Sequence, residues 1–159
     1  MSALLFVHGT CVLVGARAVL LRGPSGSGKS DLAFRLIRGE GASALLVADD
    51  QVGLSVEEGR LLASPAAALA GLLELRGLGL LRLPHAVRAE VALVVDLVRR
   101  DEVPRLPEPR SATLAEVELP LLALHAFDLT AAEKVRLALE KIPAQGFPGD
   151  DGCLGGGSI

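Results

Sequence analysis

Gly23-Pro24-Ser25-Gly26-Ser27-Gly28-Lys29-Ser30 is the stretch on which the reading of this chain turns. It follows an apolar run, Ala18-Val19-Leu20-Leu21. It precedes a segment, Lys29 to about Arg38, in which Leu32 pairs with Leu36 and Ala33 with Ile37 at i and i+4. That spacing gives one apolar helical face. A strand, a glycine loop and a helix in this order make a phosphate cradle. The glycines allow the bend that turns successive backbone N–H groups toward one point, and they leave no side chain in an anion's way. The helix adds its N-terminal N–H groups and dipole. In such a loop Lys29 reaches the β- and γ-phosphates of a nucleotide, and the Ser30 hydroxyl ligates Mg²⁺. All eight residues are candidate nucleotide ligands. A dinucleotide fingerprint fits less well, because it needs G-x-G-x-x-G spacing and has no Lys-Ser ending.

Upstream, Cys11-Val12-Leu13-Val14 joins the strand before the loop through a hairpin turn at Gly15-Ala16-Arg17. Downstream, Ala44-Leu45-Leu46-Val47-Ala48 reads as a buried strand ending in Asp49-Asp50. Ligands of open parallel sheets lie beyond the carboxyl ends of the strands, so this pair is expected to face the loop. One carboxylate can hold Mg²⁺ and the other can take a proton from an attacking hydroxyl. Neighbouring strand residues point to opposite sides, which suits separate roles.

The remaining segments are read more coarsely. Val52, Leu54 and Val56 alternate, and Glu57-Glu58-Gly59 turns the chain back toward Leu61. Ser64-Pro65 has the form of an N-cap and first helical position opening a short Ala-rich helix. Leu72 to Leu83 is punctuated by glycine, and Ala89 to Val98 reads as a strand. Thr113 to Val117 is expected as a late strand before Pro120. Thr130-Ala131-Ala132-Glu133 is a capping box opening a last helix to about Ile142. The expected class is α/β: a P-loop-containing sheet flanked by helices, with antiparallel hairpins. Residues 1–142 form the one domain. Residues 143–159, rich in Gly, Pro and Asp, are expected to be disordered.

Composition narrows the partners. Of 159 residues half are hydrophobic, but only four are aromatic, all Phe, so the core is built from Leu, Val and Ala. A net charge of −3 and a pI near 5.6 lack the basic footprint of a nucleic-acid binder. Cys11 and Cys153 match no metal spacing, and Cys11 reads as a small buried hydrophobe. Met1 to Gly9 has no basic region before its apolar stretch and does not read as a signal peptide. Arg88, Glu90 and Asp96 interrupt the apolar run Val87 to Val98, so it does not read as a membrane span. A cytoplasmic location is expected.

Four motifs in order resemble the catalytic domain of HPr kinase/phosphorylase, a bacterial enzyme acting on a serine of the phosphocarrier protein HPr. His8-Gly9-Thr10-Cys11-Val12-Leu13-Val14 looks like the family's His-Gly stretch. Gly23 to Asp31 is similar to its G-x-S-G-x-G-K-S-E/D loop. Leu46-Val47-Ala48-Asp49-Asp50 resembles its L-V-A-D-D strand end, and Leu73-Glu74-Leu75-Arg76-Gly77-Leu78-Gly79 its L-E-I-R-G-L-G signature. The likeness runs from about residue 5 to about residue 98.

The resemblance implies an HPr kinase/PEP carboxykinase-like fold, ATP and Mg²⁺ as cofactors, HPr or a related phosphocarrier as substrate, and a homo-oligomer, commonly a hexamer. It implies His8 and Asp49 as acid/base groups beside Lys29, and Asp50 and Glu74 with Ser30 at the metal. On residue chemistry alone His8 reads as a structural or surface histidine. Glu74 and Arg76 read likewise as solvated charges on a strand edge. Two features depart from the family. Only about seven residues precede His8, where full-length members carry an N-terminal domain. Long members also have a basic P-V-R/K-x-G-R-N stretch, and the corresponding Leu119-Pro120-Leu121-Leu122-Ala123-Leu124-His125 holds no Arg or Lys. The reverse, phosphorylase activity is therefore not expected from it. Arg82, Arg88, Arg99, Arg100, Arg105 and Arg110 are the basic residues left to meet a transferring phosphate. Rival readings are a small-molecule kinase, which would carry an Arg-rich lid, and a nucleotide-dependent switch without turnover.

Overall fold

A computed structural model describes residues 4–141. Strands β1 (Leu5–Val14) and β2 (Arg17–Arg22) form the expected hairpin, with Gly15 at φ 64° in its two-residue turn. The long strand β3 (Ala44–Glu57) runs antiparallel to β1, and β4 (Arg60–Pro65) antiparallel to β3 across Glu58 and Gly59. Strand β7 (Ala89–Leu97) pairs with β4 at Leu62 and Ala63 and lies parallel to β2 along its other edge. The order β2-β1-β3-β4-β7 therefore closes on itself as a five-stranded barrel. From β7 the sheet continues into a parallel strand, β9 (Val117–Leu124), and then β8 (Ser111–Leu114). A separate hairpin, β5 (Leu72–Leu75) and β6 (Gly79–Arg82), stands apart from the main sheet.

Two-residue alternation decides which side chains fill the barrel. Cys11, Leu20, Val52, Leu54, Leu61 and Val94 point inward, each at most 1% exposed. Their neighbours Val12, Val19, Leu21, Leu93 and Val95 point outward. Over them pack two helices, α1 (Lys29–Arg38) through Leu32, Ala33 and Leu36, and α2 (Ala131–Lys141) through Val135 and Ala138. Two bulges interrupt the alternation. Val47 is the extra residue in β3, so Val47 and Ala48 both face inward. Ala92 is the extra residue in β7, so Ala92 and Leu93 both face outward. Bulges bend a strand and raise its twist, which a small closed barrel requires. Burial pushes the Cys11 thiol up to about 12, so it behaves as an inert core residue.

Several sequence expectations change. Ser64-Pro65 ends β4 and opens no α-helix; a single 3₁₀ turn, Ala67–Leu69, follows. Leu61 and Ala63 are buried in the barrel at alternate positions, and this burial extends the strand to Pro65, past the end of its ladder with β7 at Leu62 and Ala63. The late strand is two strands. Ala115 and Glu116, at φ 48° and 69°, form a two-residue turn, and β9 continues through Pro120. The ladder with β7 begins at Leu121, so the N–H that Pro120 lacks falls outside it. Strand β3 does not end at Asp49-Asp50 but runs through the pair. Cys153 and the expected disorder of residues 143–159 lie outside the described residues. Among the described residues no helix is long and apolar enough to cross a membrane.

Candidate active site

The glycine loop leaves the end of β2 and enters α1. Gly26 and Gly28 adopt φ 85° and 96°, where a side chain costs about 1 kcal/mol or more. Lys29 is the first residue of α1 and is buried. Its Nζ donates to the carbonyls of Gly23 at 2.6 Å and Pro24 at 3.1 Å. Burial pulls its pKa below the ordinary 10.5, and the charges of Asp49 and Asp50 oppose that pull. The Ser27 hydroxyl is buried in the loop and has no hydrogen-bond partner among the described residues.

Pairing of β1 with β3 brings the acidic pair to the loop. Thr10 sits opposite Asp49, and its hydroxyl donates to Asp49 Oδ1 at 2.7 Å. Ser30 Oγ donates to the same carboxylate, 3.2 Å from each oxygen. Asp50 has φ 70°, a left-handed conformation that Asp tolerates better than most residues. Two neighbours on a regular strand would face opposite sides. This rotation instead leaves both carboxylates lining one cleft, with His8 Nδ1 3.4 Å from Asp50 Oδ1. The contacts thus differ from the expected grouping of His8 with Asp49 and Ser30 with Asp50. Ser30 meets Asp49, and His8 meets Asp50.

The cleft measures about 840 Å³. It is lined by the glycine loop with His8, Asp49 and Asp50, and by residues of the β5–β6 hairpin. In β5, Leu73 and Leu75 are buried against Leu46 and Phe34, and Glu74 between them is exposed and lines the cleft. Arg76, one residue beyond the strand, lines it too. None of Arg82, Arg88, Arg99, Arg100, Arg105 and Arg110 does. Arg88 pairs with Glu57 at 3.4 Å beside a hollow of about 610 Å³ that shares no lining residue with the cleft. Arg100 pairs with Asp128 at 2.6 Å. Sequence reasoning had no role for Thr10, because its partner is set by strand register alone.

Hard oxygen donors suit Mg²⁺, and Ser30 with Asp49 supplies a hydroxyl and a carboxylate side by side. Glu74 is a further carboxylate lining the same cleft. Among the described residues no three His, Cys, Asp or Glu side chains form a cage. An ion held between one or two carboxylates and substrate phosphates needs none.

The sequence pattern of the HPr Serine kinase C-terminal domain matches residues 1–121. The chain belongs to this family. It is 41% identical over 78 residues to the HPr kinase/phosphorylase of Clostridium tetani, a match covering 49% of this chain and 25% of that protein. It is 35% identical over 133 residues to the HPr kinase/phosphorylase of Geobacillus thermodenitrificans, covering 74% and 41%. The solved structure of the Hpr(Ser) kinase/phosphatase from Coxiella burnetii aligns with a TM-score of 0.71 at 25% identity, over 86% of this chain and 99% of that one. The α/β architecture is that of the HPr serine kinase C-terminal domain. The chain spans a quarter to two-fifths of the length of these two curated relatives.

Proposed function

We propose that this domain transfers the γ-phosphoryl group of ATP to a serine of HPr or a closely related phosphocarrier protein. The carrying observation is the presence of two separate carboxylate pairs, Ser30–Asp49 and His8–Asp50, in the cleft lined by the glycine loop. The names of the relatives supply the substrate.

In this reading the loop N–H groups and Lys29 bind the β- and γ-phosphates. Lys29 exchanges the carbonyls of Gly23 and Pro24 for phosphate oxygens, which have more negative charge to offer an ammonium. Ser30 and Asp49, with Glu74 of the same cleft, would hold Mg²⁺, which when bound neutralises phosphate charge. Asp50 takes the proton of the substrate serine, and His8 beside it fixes the carboxylate. The serine oxygen forms its bond to the γ-phosphorus as the bond to the β-phosphate oxygen breaks, and ADP leaves. Arg76 is the arginine of the cleft, and its charge meets the transferring group. Only this direction is proposed: residues 119–125 lie in or next to β9, and they carry no Arg or Lys. The family resemblance adds a cytoplasmic, homo-oligomeric enzyme.

The test is incubation of the chain with ATP, Mg²⁺ and purified HPr, followed by mass mapping of phosphate. Phosphoserine on HPr is the expected product. ATP consumption with no phosphoserine on HPr or a close paralogue would sink the substrate assignment, and a metabolite screen would then address the small-molecule alternative.

A further inference from the structure

We propose that Phe127 is the platform on which the base of the bound nucleotide stacks. The inference rests on the nucleotide reading of the glycine loop and adds a base subsite to it.

The turn at residues 125–130 follows β9, which runs parallel to β7 as β7 does to β2. It therefore opens at the same end of the parallel strands β2, β7 and β9 as the glycine loop. The two segments touch. A methyl group added to Gly28 would come within 2.6 Å of Ala126 Cβ and 2.9 Å of Phe127 Cζ. Phe127 lines the cleft, yet it is 55% exposed.

That exposure does not come from a loose segment. Arg35 donates to the Ala126 carbonyl. His125 Nδ1 lies 2.9 Å from the Val98 carbonyl, an acceptor, so this nitrogen carries the hydrogen. Arg100 holds Asp128 at 2.6 Å, and the Asp128 N–H closes the turn on the His125 carbonyl at 3.1 Å. The His125 ring meets Phe127 edge to face, with centroids 5.8 Å apart and planes at 71°. A ring already held in place loses little conformational freedom when a ligand stacks on it.

Among the described residues no other phenylalanine face competes. The chain has no Trp or Tyr. Phe34, the other phenylalanine lining the cleft, packs against the cluster of Leu46, Leu73 and Leu75. Phe6 lies outside the cleft lining. Stacking on an aromatic ring uses the face that every base has, so the platform needs no polar reader beside it.

The test compares ATP with inorganic tripolyphosphate, which has the phosphates but no base. Affinities of both for the full 159-residue chain are measured by calorimetry at fixed Mg²⁺, in the wild type, Phe127→Leu and Phe127→Tyr. Phe127→Leu keeps apolar bulk against Gly28 and guards against a folding defect. The expected result is that Phe127→Leu weakens ATP about five- to a hundredfold and leaves tripolyphosphate within about twofold, while Phe127→Tyr retains ATP affinity. Equal losses for both probes would assign the ring to shaping the loop and overturn the platform. So would unchanged ATP affinity, including the case in which the variant alters oligomer mass or the KM for HPr, as a protein-docking residue would. A wild type that binds neither probe would overturn the loop reading itself, and a wild type that binds both with Phe127→Leu silent would overturn the base subsite alone.

Discussion

Two strand–turn–helix units stand side by side at one end of the parallel strands, β2 into α1 and β9 into α2, and they solve the same geometric problem by opposite means. The first uses glycine. Gly26 and Gly28 take positive φ, which bends the backbone without any side chain of their own. The second, from His125 to Thr130, has no glycine. It is held by side chains: Arg35, Arg100 and His125 each tie it to a neighbouring segment. A backbone cradle suits charge, because N–H groups can be brought close to phosphate oxygens. A side-chain clamp suits an apolar face, because it fixes an aromatic ring without needing the backbone to be bare. The contrast predicts that the first unit governs turnover and the second governs affinity.

Lys29 offers the largest expected effect. Lys29→Met should lower phosphoryl transfer by at least about a thousandfold, since it removes the one ammonium among the loop's donors. The same change should not destabilise the nucleotide-free protein. Burial lowers the pKa of Lys29 below 10.5, so the charged form carries a cost in the folded state. The folded chain binds fewer protons than the unfolded chain between the lowered value and 10.5, and stability rises with pH across that window. Wild type should therefore gain on Lys29→Met in urea melts as pH is raised from 7 toward 10.5. A variant that loses stability at neutral pH would show that the Gly23 and Pro24 hydrogen bonds outweigh the burial cost.

The acidic pair is next, and it separates the two carboxylates. Asp50→Asn should lower transfer about a hundredfold with the Mg²⁺ dependence unchanged. Asp49→Asn should instead raise the Mg²⁺ concentration needed for half-maximal rate. The reverse pattern would restore the grouping that the family resemblance implies, Asp49 with His8 and Asp50 with Ser30.

That exchange of partners shows where sequence reading stops. The β1–β2 hairpin, the span of α1 and the glycine loop were legible because each is a local pattern: turn chemistry, apolar spacing of 3.6, fixed glycine positions. Barrel closure was not, because the β2–β7 and β4–β7 pairings join residues with nothing local to mark them. The rotation at Asp50 was hidden because positive φ is signalled by glycine, and here an aspartate adopts it. Thr10 was invisible as a partner of Asp49 for the same reason as the closure, since strand register decides it. Arg76 had every signal of a solvated charge, and only the seating of the β5–β6 hairpin on Leu46 and Phe34 turns it toward the cleft.

Within the loop, two glycines should respond differently to the same change. A Cβ on Gly28 meets Ala126 and Phe127, whereas one on Gly26 meets nothing within 4 Å. Gly28→Ala combines left-handed strain with overpacking and should cost about 2 kcal/mol or more. Gly26→Ala should cost about 1 kcal/mol, from backbone conformation alone. Equal losses in thermal melts would mean that the two units do not press on one another as closely as the contact at Gly28 indicates.

The smallest effect belongs to the clamp. Arg100 is exposed and Asp128 partly so, and the pair adds little to global stability at neutral pH. The hydrogen bond from Arg100 holds Asp128 below the ordinary carboxylate value of 3.8. A carboxyl with a depressed folded pKa stabilises above its unfolded value, and that contribution is lost as pH falls through the folded one. Wild type and Arg100→Ala should therefore differ slightly at pH 7 and converge in acid. The variant should still weaken ATP, though less than Phe127→Leu does, because the ring remains and only its support is loosened. Tripolyphosphate affinity should not follow. If Arg100→Ala weakens both probes together, the turn at 125–130 supports the phosphate cradle, and the division of labour between the two units fails.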